Sequence, residues 1–253
     1  MTLGVPSTLR SLHDQVTRQI ALGILRGEIK NDESKSFTLD SFGRLFRVSR
    51  TVLRDSIKVL AAKGLVEARP NKGILVRPRT DWNLIDPDLL AWRCEASLDY
   101  SLVRDLCEIR LNLEPFAAEL AAARASRDDL TAIDYWCGQM EALKNDVKAI
   151  TAADMEFHSA VYNASHNDLV RQTSVTLRKT FQMVLQLEKT VRFRPESTVP
   201  MHREVADAIS KRDGKTARTV TDQLVRIAVR DCYELLKRES PDQLIGFNYD
   251  PNS

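Results

Sequence analysis

Apolar residues recur at helical spacing from the start of the chain. Leu9, Leu12, Val16, Ile20 and Ile24 fall on one face, which predicts an amphipathic helix over residues 8–26, ended by Gly27. Thr38 is placed to cap a second, short helix in which Leu39, Phe42, Leu45 and Phe46 share a face. Ser49 is placed to cap a third, with Leu53, Ile57, Leu60 and Ala61 turned inward. Gly64 then stands where a left-handed residue closes a helix. Two short β-type runs, Leu65–Arg69 and Gly73–Val76, flank the turn Pro70-Asn71-Lys72. Helix, helix, tight turn, helix, hairpin is the order of a winged helix-turn-helix.

Residues 78–87 read as a linker that closes on Asp86-Pro87, a helix-start signal. From there to residue 238 only helical periodicity occurs, and it predicts helices over 86–96, 100–123, 127–147, 150–165, 167–189, 200–211 and 214–237. Loops between them are short, apart from 190–200 with Pro195 and Pro200, and short connections favour antiparallel neighbours. After Glu239 the composition turns polar, with Pro241, Gly246 and Pro251, which predicts a flexible tail. The expected organisation is a winged-helix domain over 1–79, a linker over 80–85, a helical domain over 86–238 and a tail over 239–253. The fold class is mainly α: a winged helix-turn-helix in front of an antiparallel all-helical bundle.

Hydrophobic residues make up 43% of the 253, enough for a core in each part. No apolar run reaches the ~18 residues of a transmembrane helix, so no membrane partner is expected. Met1 to Arg10 lacks the apolar stretch of a signal peptide, which predicts a cytoplasmic protein. Cys94, Cys107, Cys137 and Cys232 are scattered without a CxxC pair, as suits buried thiols in a reducing compartment. The formal net charge of +2 hides an asymmetry. Residues 1–80 hold 15 of the 37 basic and 7 of the 35 acidic residues, a net +8; the remainder holds 22 and 28, a net −6. A basic front on an acidic body is the footprint of a chain that meets phosphates with one end.

The third helix carries the sharpest chemistry. With Ser49 as its cap, Arg50, Thr51 and Arg54 lie on the exposed N-terminal face, opposite Leu53 and Ile57. There a recognition helix presents side chains to major-groove base edges. An arginine fork bonds guanine O6 and N7 together, for roughly 1–3 kcal/mol of discrimination. Ser49 and Thr51, with Arg44, Arg47 and Lys58, suit phosphate contacts, and Lys72 and Gly73 would form a wing tip over the backbone or minor groove.

In the second half, Asp154 and His158 stand four apart, hence on one helix face about 6 Å from each other. His202 begins the helix after the long loop. One carboxylate and two imidazoles suit a divalent metal, zinc first, with manganese or nickel as alternatives; a surface ion pair is the rival reading of Asp154 and His158 alone. Arg110 flanks the packed stripe Leu102, Leu106, Ile109 and Leu113, with Glu114 one turn on as an ion partner. Pro115 should kink this helix and free the Leu111 carbonyl. Asn167 reads as a helix cap, Asn163 as a cavity residue that meets an effector, and His166 and His13 as surface or packing residues.

Val48-Ser49-Arg50-Thr51 with Arg54, then Leu60, Gly64-Leu65-Val66 and Gly73 before Val76, resembles the winged helix of GntR-type regulators. Through Asp154-x-x-x-His158 and His202 the second half resembles the FCD effector domain of the FadR branch, and the resemblance spans about residues 10–236. The stretch Trp82 to Trp92, with Glu108-Ile109-Arg110-Leu111-Asn112-Leu113-Glu114-Pro115, is similar to the galactonate-responsive repressors of that branch. The resemblance implies that residues 86–238 bind an effector and dimerise, and that Arg110 lines the cavity and holds a carboxylate. It also implies that Asp154, His158 and His202 are metal ligands. Counted from His202, the family's third histidine falls on Leu224, beside Gln223, so three of four ligands remain. Water or the effector then completes the sphere, or the metal has been lost. The family opens its second helix with Leu-Pro-Ser-Glu and a basic residue, where this chain has Ser36-Phe37-Thr38-Leu39-Asp40. Asp40 thus sets a carboxylate where a phosphate contact is expected, and it should repel DNA.

The function expected from all this is a transcription repressor. A homodimer would hold a palindromic double-stranded operator and release it when a small organic acid, a sugar acid or aromatic acid, enters the helical domain. The rivals are an effector-blind DNA-binding protein and a metal-dependent enzyme that activates water on Asp154, His158 and His202. No general-base glutamate at a recognisable spacing and no nucleophile motif supports the enzyme.

Overall fold

Ser11 opens the first helix because its hydroxyl accepts the Asp14 N–H while the Asp14 carboxylate accepts the Ser11 N–H. In the computed structural model, which describes residues 11–31, 37–70, 72–97, 99–143, 146–187, 195–245, 247 and 249, this helix is α1 (Leu12–Leu25). Leu9, Ser36, Asn71, Gly246 and Pro251, singled out above, lie outside the described residues. Val16, Ile20 and Ile24 are buried, but Leu12 is 54% exposed, so the apolar stripe starts one turn later than its spacing suggests.

Thr38 and Ser41 cap α2 (Leu39–Phe46) reciprocally. Phe42 is its buried residue: Phe37 stacks on the ring at 5.1 Å and Phe46 closes over it at 5.9 Å. Those two rings fill the space next to Phe42, and Leu45, expected on the same face, is left 64% exposed. The Ser49 hydroxyl accepts the Val52 N–H and caps α3 (Arg50–Ala62). Leu53, Ser56, Ile57 and Leu60 are buried. Ala61 is exposed; Ser56 takes the inward place instead and donates its hydroxyl to the His13 carbonyl.

The end of α3 is a Schellman closure. Leu65 N–H reaches Leu60 C=O and Gly64 N–H reaches Ala61 C=O, both at 3.0 Å. Gly64 has φ +81°, and a Cβ there would lie 2.3 Å from the Asp81 carbonyl oxygen. The hairpin β1 (Val66–Arg69) and β2 (Gly73–Val76) follows, antiparallel, with Val66 opposite Val76. Gly73 has φ +77°, and its missing Cβ lets the Phe37 carbonyl approach and accept the Ile74 N–H at 2.7 Å. The residue expected to touch DNA from the wing therefore has a structural duty of its own.

Asp86 caps α4 (Pro87–Ala96), whose Leu89 and Trp92 enter the core made by α1, α3 and the hairpin. Lys63 binds Asp86 and Asp88 at 2.8 and 2.7 Å and lies over the Trp92 ring. Because α4 packs this way, the chain divides into Met1–Leu98 and Asp99–Ser253, later than the linker expected over 80–85.

The second unit holds six helices among the described residues: α5 (Tyr100–Arg124), α6 (Arg127–Ala142), α7 (Val147–Ala164), α8 (Asp168–Leu187), α9 (Pro195–Ser210) and α10 (Gly214–Glu239). The small face of α5, Ala118, Ala121 and Ala122, admits Ile133, Met140, Ile150, Phe157, Val205, Ile209 and Val220 into one core. α10 runs antiparallel to α5, pairing Arg218 with Glu119 near one end and Cys232 with Cys107 near the other. α5 continues through Pro115, and α9 begins at Pro195 and continues through Pro200. Pro195 stands at a first helical position, where the missing N–H is no loss, so residues 195–200 of the expected loop are helical. Asp146 caps α7 and starts it before residue 150.

The tail departs from expectation. Phe247 and Tyr249 are buried beside Tyr233, and the Tyr249 hydroxyl donates to the Arg226 carbonyl at 3.2 Å. Aromatic burial docks these residues on α10, where a flexible segment was expected. All four cysteines are buried and free, and no described helix is long and apolar enough to cross a membrane.

Gly64→Ala should destabilise the chain by about 2–4 kcal/mol, combining the cost of a left-handed side chain with overlap on Asp81. Urea unfolding followed by circular dichroism checks this, and a wild-type midpoint would contradict it.

Candidate nucleic-acid interface and metal centre

Capping decides what the first turn of α3 presents. Ser49 satisfies an amide from its own side chain, so no other element has to cover the helix start. Arg50, Thr51 and Arg54 are exposed there, as sequence periodicity predicts, with Ser49 exposed beside them. Arg44 is exposed on α2 and Lys72 in the hairpin turn, while Gly73 is half-buried. Arg47, in the turn between α2 and α3, has φ +53°. Lys58 is paired with Asp55 at 3.2 Å, whereas Arg54 has no ion-pair partner among the described residues. Arg50 is engaged by Asp40 through two hydrogen bonds, a link that sequence spacing did not suggest.

In the second unit, α7 sets Asp154 and His158 on one face and α9 brings His202 to them. His202 Nε2 lies 3.0 Å from Asp154 Oδ1 and 3.3 Å from His158 Nε2; His158 Nε2 lies 3.7 Å from Asp154 Oδ1. Both histidines are buried, which removes the surface-pair reading of Asp154 and His158.

The groups beside the far ring nitrogens favour one arrangement of the ring protons. His202 Nδ1 donates to the Thr198 carbonyl at 2.8 Å, and Glu114 Oε2 lies 3.3 Å from His158 Nδ1, where its charge favours a proton. Each Nε2 then turns a lone pair toward the other and toward a carboxylate oxygen. Three electron-rich atoms so close repel one another unless a cation lies among them, so the residues fit a divalent ion. Phe157 meets both imidazoles edge-on and keeps this corner apolar. Leu224 is buried and offers no ligand atom.

Glu114 joins this centre to Arg110. Its side chain is only 2% exposed, and its Oε1 accepts the Arg110 Nε–H at 2.5 Å. Burial works against the charge on Arg110, but the Glu114 carboxylate more than offsets it and holds the guanidinium pKa above its ordinary value. Tyr162 faces the same carboxylate and Ser174; burial, then the Glu114 charge, pushes the phenol pKa well up. Sequence spacing pointed to the Arg110–Glu114 pair, but the contact with His158 joins α5 to α7 and left no local signal.

Asn163 does not join the network. It is exposed, five residues past His158 and so turned by about 140° around α7. Asn167 caps α8 as expected, accepting the Leu169 and Val170 N–H groups. His166 is exposed and pairs with Asp129 at 2.8 Å, and His13 pairs with Asp14.

The FCD domain family matches residues 105–226. The galactonate operon transcriptional repressor of Escherichia coli K12 is 31% identical over 194 residues, covering 75% of this chain and 83% of that one. The HTH-type transcriptional regulator LutR of Bacillus subtilis is 28% identical over 202 residues, covering 77% and 89%. Among solved structures, Lar, described as controlling expression of the Listeria monocytogenes agr system, superposes with a TM-score of 0.53 at 18% identity, covering 90% of this chain and 100% of that one. That likeness bears on the fold alone. With such relatives the metal-dependent enzyme falls away, and the chain is a DNA-binding regulator of transcription. It belongs to the GntR family, in the FadR-type branch that carries an FCD effector domain.

Proposed function

We propose that this regulator is a repressor whose homodimer holds a palindromic operator and releases it when a small organic acid binds the helical unit. The observation that carries the proposal is the uncovered first turn of α3, with Arg54 unpaired among the described residues and Arg50 and Thr51 beside it. Arg50 and Arg54 suit base edges; Ser49, Thr51, Arg44 and Lys72 suit phosphates, with Gly73 shaping the wing.

Arg110, held beside Glu114, is the group that meets the effector carboxylate. A sugar acid is favoured over an aromatic one, because the Escherichia coli relative is named for a galactonate operon and the buried surroundings supply polar partners, Tyr162 and Ser174. Asp154, His158 and His202 would hold a divalent cation, with zinc favoured by the two imidazoles over manganese or nickel. A bound cation would supply Lewis-acid attraction for an effector oxygen. For release, the effector must prefer the arrangement with wrongly spaced reading helices, and 1–3 kcal/mol of coupling changes occupancy about 5- to 150-fold.

Arg54→Ala should weaken operator binding roughly 10- to 150-fold while leaving thermal unfolding unchanged. Fluorescence anisotropy on a selected operator reads this, and wild-type affinity would refute the assignment. Free zinc at about one hundred times its dissociation constant should stabilise the wild type by about 2.7 kcal/mol, reversibly with chelator, and His202→Ala should abolish that gain. Melting curves indifferent to zinc in the wild type would remove the metal from the proposal.

A further inference from the structure

Asp40 stands where a cation was expected to meet phosphate, yet its contacts give it another role. One carboxylate oxygen accepts the Arg50 Nε–H at 2.7 Å and the other accepts an Nη2–H at 2.8 Å. A guanidinium carries five N–H donors in a plane. The Nε–Nη2 edge is occupied by Asp40, while the end edge, with one hydrogen each from Nη1 and Nη2, stays open. Two parallel N–H groups on that edge match O6 and N7 of guanine.

Both partners sit on fixed points. Asp40 lies in the first turn of α2, held by the Thr38–Ser41 capping box, and Arg50 is the first residue of α3, held by the Ser49 cap. Their side chains are 53% and 72% exposed, so the pair adds little to folding stability in water. Its effect lies elsewhere. A clamped guanidinium has less rotamer freedom to lose on docking, and a compensated charge is poorly attracted to phosphate. Both effects commit Arg50 to a base edge.

We propose that Asp40 is a positioning residue for DNA reading: it holds Arg50 side-on so that the Nη1–Nη2 edge addresses a guanine, and it thereby sets base preference at that position. This rests on the DNA-reading function above. The test selects a motif with the full-length protein from duplexes with a randomised core. It then measures Asp40→Asn, Asp40→Ala, Arg50→Ala and the Asp40→Ala/Arg50→Ala double variant on single-base changes of that motif.

The wild type should prefer guanine at one position of each half-site, and Arg50→Ala should lose that preference. The Asp40 variants should cut the same preference roughly tenfold, with other positions unchanged and binding to random duplex equal or stronger. In the double variant, the Asp40 change should add nothing at that position. Preserved guanine preference in both Asp40 variants, or an equal loss at every position, would overturn the proposal. Failure of the wild type to enrich any motif would instead remove the DNA-reading function, and this proposal with it.

Discussion

The first turn of α3 has to remain open to a partner, and its amide donors cannot go unsatisfied. Ser49 reconciles the two demands by supplying a hydroxyl from inside the chain. Once the helix start needs no cover, its position depends on the opposite face, and Leu53, Ile57 and Leu60 fasten that face to the core shared by α1, the hairpin and α4. The Schellman closure at Gly64 then turns the chain directly into β1. Capping, core and turn together produce a rigid helix whose charged end faces outward.

The helical unit meets a different constraint, which is charge without water. A carboxylate as deeply buried as Glu114 needs positive charge beside it, and Arg110 on α5 supplies it at Oε1, while Oε2 lies 3.3 Å from His158 on α7 without a hydrogen bond. The same carboxylate lies against His158, while the Thr198 carbonyl orients His202 through a hydrogen bond. A group that balances the electrostatics of the core therefore also borders the proposed metal site. Glu114 touches both Arg110 and His158, so one side chain would link the proposed effector and metal sites.

Much of this was legible in the chain because it is local. Ser49, the spacing of Leu53, Ile57 and Leu60, and the glycine at 64 define α3 and its end without reference to anything distant. Asp154 and His158 are neighbours through helix geometry alone. Contacts between elements were less accessible. Asp40 and Arg50 belong to different helices, and from sequence Asp40 registered only as a charge of the wrong sign. Leu45 has an apolar side chain but loses its place to Phe37 and Phe46. Pro195 and Pro200 suggested a loop because proline is usually a breaker, although a first helical position accepts it. Past Glu239, prolines and glycine drew attention away from Phe247 and Tyr249, whose rings find a surface on α10. The linker was placed too early because Trp92 and Lys63 tie α4 to the preceding fold.

The bridge between Phe37 and Ile74 has a mechanical meaning. It stitches the segment entering α2 to the hairpin, and Gly73 permits the stitch by leaving no side chain in the way. The hairpin and the entrance of α2 are thus tied together, and a change in the pose of the hairpin would carry with it the carboxylate bonded to Arg50. If Arg50 reads a base as proposed, the length and pitch of the wing would bear on which base pair it favours.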